Sequence, residues 1–238
     1  MSWGLEIVFK MFVSVFSSIY HKIVENVRTL IFWPLFGIAF YAVEQINRNP
    51  WKCFEVGCKW DDYIPFCEYF VVAYVMWFIY MAGTIVYLIY KDPKAYEITM
   101  RFIILSFSAT IVIYLLFPTM QMMRPYNIDR ENVFMDVVRW FYRHDTPTNV
   151  CPSLHVIGTL ATMYGALSSE RLMRHRGMKA AYVLVGILIC FSTVFLKQHS
   201  VEDVIGGVGL CLVVWTFAFR KDAVEIPEEE TKKRSEAA

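Results

Sequence analysis

The run FCEYFVVAYVMWFIYMAGTIVYLIY, Phe66 to Tyr90, carries one charge, Glu68, near its start. About 20 mostly apolar residues suffice to take a helix across the hydrocarbon core of a bilayer. Five further stretches read the same way: Thr29–Ile46, with Glu44 as its only charge, Ile98–Pro118, the shorter Ser153–Ser168, Met178–Leu196 and Asp203–Phe219. Trp33, Trp51, Trp60, Trp77, Trp140 and Trp215 fall near many of the ends, where amphipathic rings favour the interface. The expected fold is all-α, an integral membrane bundle of six helices.

Composition agrees. The 238 residues are 57% hydrophobic and 19% charged, below the roughly 25% charged expected of a soluble domain. The 23 Lys+Arg and 22 Asp+Glu leave a net +1. A nucleic-acid binder acting through bulk charge would need a basic excess, so no nucleic-acid partner is expected. A disordered chain would be poor in apolar residues.

Residues 1–28 differ from the spans. Leu5, Val8, Phe9, Phe12, Phe16, Ile19 and Tyr20 recur at steps of three and four, with Glu6, Lys10, Ser14, Ser17 and His21 opposite. Such a two-faced segment suits an amphipathic helix lying in the interface. Glu6 and Lys10 interrupt the apolar core that a cleaved signal peptide needs. Residues 29–220 form the membrane domain. Residues 221–238, with Glu228-Glu229-Glu230, read as a disordered tail.

With six spans, fifteen of the 23 basic residues fall on the side holding both termini, Arg171, Arg174, Arg176 and Lys179 among them. The positive-inside rule makes that side cytoplasmic. Three loops then face outward: Asn47–Pro65, Thr119–Pro152 and Lys197–Glu202. The middle one, about 34 residues, far exceeds ordinary connections. Cys53 and Cys58 share the first loop, where an oxidising compartment would permit a disulfide. The other four cysteines read as packing residues, and no CxxC metal pattern occurs.

Two outward segments carry the chemistry. One opens the fourth span: Asp145-Thr146-Pro147-Thr148-Asn149-Val150-Cys151-Pro152-Ser153-Leu154-His155. Pro152 suits a first helical turn, whose free N–H groups make a ready anion site. The other, Lys197-Gln198-His199-Ser200-Val201-Glu202-Asp203, enters the sixth span. If helical, it puts His199 and Asp203 on one face, where a carboxylate orients an imidazole. Arg124-Pro125 adds a guanidinium fork matched to phosphate oxygens. His21, His144 and His175 lack such company.

Two alternatives were weighed against this reading. His155, His199 and Asp203 could form a facial metal triad, but no further ligand pattern appears, and no metal is expected. Ser153 lacks the Gly-rich surroundings of a hydrolase nucleophile.

These segments resemble the type 2 phosphatidic-acid phosphatase superfamily, whose motifs are Lys-x6-Arg-Pro, Pro-Ser-Gly-His and Ser-Arg-x5-His-x3-Asp. Here they match Arg124-Pro125, the run Pro152-Ser153-Leu154-His155, and Ser192 with His199 and Asp203. The resemblance runs from about Asp61 to Gly209, and runs similar to Ile64-Pro65-Phe66 occur in small bacterial members. It implies six spans, a bacterial plasma membrane, an extracytoplasmic site and no cofactor. It also implies His199 as nucleophile forming a phosphohistidine, Asp203 orienting it, and His155 protonating the leaving alkoxide. Arg124 and Ser153 would then bind phosphoryl oxygens.

Three positions depart from the motifs: Phe117 replaces the first motif's Lys, Thr193 the third motif's Arg, and Leu154 the glycine. Lys197 is the expected substitute for a lost cation. The implied activity is hydrolysis of a lipid phosphate or diphosphate. Fewer cations would also suit singly charged phosphodiesters, as in the sphingolipid head-group transferases that resemble this superfamily. A non-catalytic lipid-binding or transport relative is the third reading.

Overall fold

The computed structural model describes residues 29–126 and 128–219, and before them Lys10, Ser17, Tyr20, Val24 and Asn26. The expected interfacial helix of residues 1–28 and the tail 221–238 therefore lie essentially outside the described residues. The helices are α1 (Phe32–Ile46), α2 (Lys59–Tyr63), α3 (Val71–Lys91), α4 (Pro93–Leu116), α5 (Val133–His144), α6 (Leu154–Leu167), α7 (Arg176–Phe195) and α8 (Val201–Ala218). Two-residue strands β1 (Phe54–Glu55) and β2 (Thr119–Met120) pair in parallel.

Among the described residues four helices are long and apolar enough to cross a membrane: α3 with its lead-in turn (Glu68–Lys91), α4, α7 and α8. The chain is a mostly helical membrane protein. Helix α6 is shorter, with 14 residues, and the described part of α1 has 15. Helix α4 begins earlier than hydropathy predicts. Pro93 occupies its first turn, and the Asp92 carboxylate caps it by accepting from Ala95 N–H (3.3 Å).

Short α6 sits at the centre, packed against α3, α4, α7 and α8. Its buried face, including Gly158, Thr159, Ala161, Thr162, Gly165 and Ala166, is made of small residues that let neighbouring backbones come close. At Gly165 a methyl group would overlap the Thr99 side chain, and at Gly158 it would press on the Trp77 ring. Three buried hydroxyls of α4 are satisfied by their own helix: Thr99 donates to the Ala95 carbonyl (2.7 Å), Ser106 to Phe102 (2.7 Å) and Thr110 to Ser106 (2.8 Å).

The long segment before α6 is not one open loop. It contains β2 and the amphipathic α5, which rests Met135 and Val138 in the interior. Asn132 caps α5, Asp136 lies in its first turn, and Arg143 and His144 end it, all complementary to the helix dipole. A span-length apolar window misses such a helix because half its surface is polar. Cys53 and Cys58 are both free thiols.

Connections from α1 to α3, α4 to α6 and α7 to α8 meet at one end of the bundle. Asn47 donates to Asn149 (2.7 Å), and Gln121 donates to the Lys197 carbonyl (3.0 Å). At the other end Ser169 donates to Asp92 (2.7 Å), and Arg171 donates to the Lys91 carbonyl (2.8 Å).

Candidate active site

Helices α6 and α8 both start at the end where the three connections meet. Ser153 is the N-cap of α6 and accepts from Val156 N–H (3.5 Å), so Pro152 stands just outside the helix, not within its first turn. His155 is the second helical residue. Its ring lies against Tyr74 (centroids 4.4 Å apart) and Trp77 (4.7 Å), and its carbonyl accepts from the Trp77 indole (3.0 Å). Trp77 is thus a wall of the site, not an interfacial anchor. His155 Nε2 is buried without a hydrogen-bond partner.

His199 precedes α8, which corrects the expectation that it shares a helical face with Asp203. Ser200 is the N-cap and accepts from Asp203 N–H (3.1 Å). The fully buried Asp203 reaches back across the first turn. Its Oδ2 accepts from Ser200 N–H (2.8 Å) and lies 3.2 Å from His199 Nδ1. This capping box fixes the carboxylate, and the carboxylate holds the imidazole. With Nδ1 engaged, Nε2 is the nitrogen left for chemistry. The two histidine rings stand 5.7 Å apart at 63°.

Arg124 comes to the same place. Its guanidinium donates to the carbonyls of Asp145 (2.8 Å), Tyr142 (3.3 Å) and Thr146 (3.3 Å) and to Gln198 Oε1 (2.5 Å), and it lies over the Tyr142 ring. Burial pulls its pKa below the ordinary arginine value, against the opposing pull of Tyr142 and Asp145. Among the described residues, Arg124 is the only Lys or Arg lining the cavity that His155 and His199 share.

The other predicted phosphate ligands are placed differently. Ser153 is fully buried at its cap and does not line the cavity. Lys197 turns away: its amine donates to the Asp61 carbonyl (2.7 Å), outside the cavity lining. The structure therefore does not put Lys197 where a lost motif cation would act. Burial lowers its pKa, and Asp61 and Asp62 partly restore it.

The cavity, about 240 Å³, has two characters. Its polar lining includes the histidines, Arg124, Gln198, Asp145 and Thr146. Its apolar lining includes Phe36 and Phe40 of α1, Phe78 of α3 and Phe107 of α4. Two carboxylates in it were not foreseen as site residues. Glu44 accepts from Thr146 Oγ1 (2.9 and 2.8 Å) and from Asn149 (3.1 Å). Burial raises the pKa of Asp145, and Arg124 counteracts this. Glu44 carried a signal: an ionisable residue inside a span is a functional candidate. Asp145 had none beyond closeness to the Pro-Ser-Leu-His run.

A family model described as the PAP2 superfamily matches residues 61–217. The chain belongs to that superfamily. Membership supports a phosphatase-like activity on lipid phosphates at superfamily level, and the match contains Arg124, His155, His199 and Asp203. No curated protein and no solved structure matches the chain. Among the described residues no group of three or more His, Cys, Asp or Glu side chains is arranged to hold a metal ion.

Proposed function

We propose that this protein is a membrane lipid phosphatase that hydrolyses a lipid phosphate or diphosphate through phosphohistidine at His199. The observation that carries this is the cavity itself. Two imidazoles, their ring centroids 5.7 Å apart, line it together with Arg124, and aromatic rings from bundle helices line it as well.

In the first step His199 Nε2 attacks phosphorus. An N–P bond forms, the P–O bond to the lipid breaks, and His155 gives the departing oxygen its proton. An alkoxide leaves poorly unless protonated, so a positioned acid is worth about 10²–10⁴-fold. Asp203 stabilises the cationic ring that results. In the second step water attacks phosphorus, its proton passes to His155, the N–P bond breaks and phosphate departs. Arg124 supplies fixed positive charge beside the phosphoryl oxygens.

Six spans fit the geometry, with α1 and α6 as the two shorter ones. Each connection then alternates sides, the site faces outward and both termini are cytoplasmic, in line with the distribution of basic residues.

A second reading, phosphotransfer of a head group to a lipid alcohol, is favoured by the cavity's charges. One arginine faces two carboxylates, Glu44 and Asp145. A monoester dianion fits that balance less well than a singly charged phosphodiester. Purified protein is assayed on a panel of lipid monoesters, diphosphates and diesters, with and without an added lipid alcohol and with His199→Ala as blank. Phosphate release above the blank supports the phosphatase. Head-group transfer without phosphate release replaces it with the transferase, and equal activity in the blank overturns both.

A further inference from the structure

The segment between α1 and α3 crosses the outer end of the bundle and grips the stretch that carries His199 at four points. Cys67 N–H donates to the Phe195 carbonyl (3.0 Å). Gly57 N–H donates to the Glu202 carboxylate (3.1 Å). Between these, Asp61 acts twice: Oδ1 accepts from Val201 N–H (2.8 Å), and its carbonyl accepts from Lys197 Nζ (2.7 Å). The other carboxylate oxygen takes Cys58 N–H (2.8 Å), and the residue is 5% exposed. Asp61 is thus bound on both sides of His199, to the Lys197 side chain before it and to the Val201 backbone after it.

The gripped turn is one its own residues disfavour. Lys197 has φ +50°, in the left-handed region that side chains resist. The Gln198 and His199 N–H groups both reach back to one acceptor, the Thr193 carbonyl (3.0 and 3.1 Å). Val201 opens α8, so its N–H has no partner within the helix, and Asp61 supplies one.

We propose that residues 57–67 form a positioning strap for the nucleophile, with Asp61 and Lys197 as its working members. Neither touches the phosphoryl group. Together they set where His199 Nε2 stands relative to His155, which rests on the reading of His199 as nucleophile. Lys197 passes from expected phosphate ligand to positioning residue.

The test compares Lys197→Met, Asp61→Ala and their double variant with the native chain on the panel lipid that reacts fastest. Each single variant should lose about tenfold or more in kcat, since small misplacement is costly. KM and inhibition by vanadate, a phosphoryl mimic, should stay within about threefold, because no phosphate ligand is removed. The double variant should be no slower than the slower single variant. Lys197→Arg, which keeps a donor on the Asp61 carbonyl, should restore most of the rate.

Two readouts separate positioning from bare stability: the loss in kcat without a matching change in KM, and local hydrogen exchange. Hydrogen exchange should quicken in peptide 196–203 and stay native in 153–160. If Lys197→Met does not fold, Lys197→Gln, too short to span the same gap, takes its place.

Loss of vanadate affinity in Lys197→Met but not in Asp61→Ala would make Lys197 a phosphate ligand and overturn the strap. Faster exchange with native kcat would overturn it too. If the native chain turns over no lipid, the functional reading fails by itself. Exchange and vanadate binding then decide the strap, with unchanged exchange in both variants ending it.

Discussion

Helices α6 and α8 begin side by side at one end of the bundle, each presenting a histidine, yet their starts are built on opposite plans. The α6 start is capped by its own Ser153 and leaves Leu154 and His155 on the cavity wall. Its histidine is held by packing between Tyr74 and Trp77, with Nε2 unpaired. The α8 start is filled by protein carboxylates. Asp203 takes Ser200 N–H, and Asp61 takes Val201 N–H. Its histidine is held by a charged partner. A helix start is an anion site only while its N–H groups are unspent, so under the proposed function α6 is the half left open for a phosphoryl group, and in α8 the same donors orient the proposed nucleophile.

The sharpest break of that comparison removes each histidine in turn. His199→Ala should abolish turnover on every substrate. His155→Ala should cost about 10²–10⁴-fold on an alkyl ester. It should recover most of that loss on an aryl phosphate, whose leaving oxygen needs no proton. Measured kcat/KM on the two ester types decides it. Equal losses on both types would mean that His155 is not the acid.

Ser153→Ala comes next in size. Removing a helix cap costs on the order of 1 kcal/mol, and the loss should appear as a lower melting temperature in detergent. Because α6 carries the open half-site, KM should rise as well. A rise in KM with unchanged stability would show Ser153 to be a phosphate ligand after all.

The smallest effect concerns Asp145. Burial raises its pKa, so the folded chain holds that proton to higher pH than the unfolded chain does. Its contribution is fully present below the ordinary carboxylate pKa of about 3.9 and is lost as pH rises through the raised value. Asp145→Asn should therefore increase the melting temperature slightly at pH 7. That gain should vanish near pH 4. The carboxylate is partly open to solvent, which keeps the effect small. A gain that grows on acidification would contradict the sign.

Much of this protein is legible in its residues alone. The long spans follow from hydropathy, because a helix in lipid must be apolar for its whole length and says so locally. Arg124, His155, His199 and Asp203 are visible because their motifs are short and contiguous. That Arg124, His155 and His199 line one cavity, with Asp203 behind His199, belongs to the tertiary structure, as do the placements of Trp77, Glu44, Asp145 and Asp61. Lys197 shows the limit most plainly. In sequence it is a cation two residues from His199; in the fold a left-handed turn and the Asp61 carbonyl point it elsewhere. Spacing along the chain reports what neighbours can do. Which distant backbone satisfies a donor is decided only when the bundle closes, since every buried polar group must then find its partner.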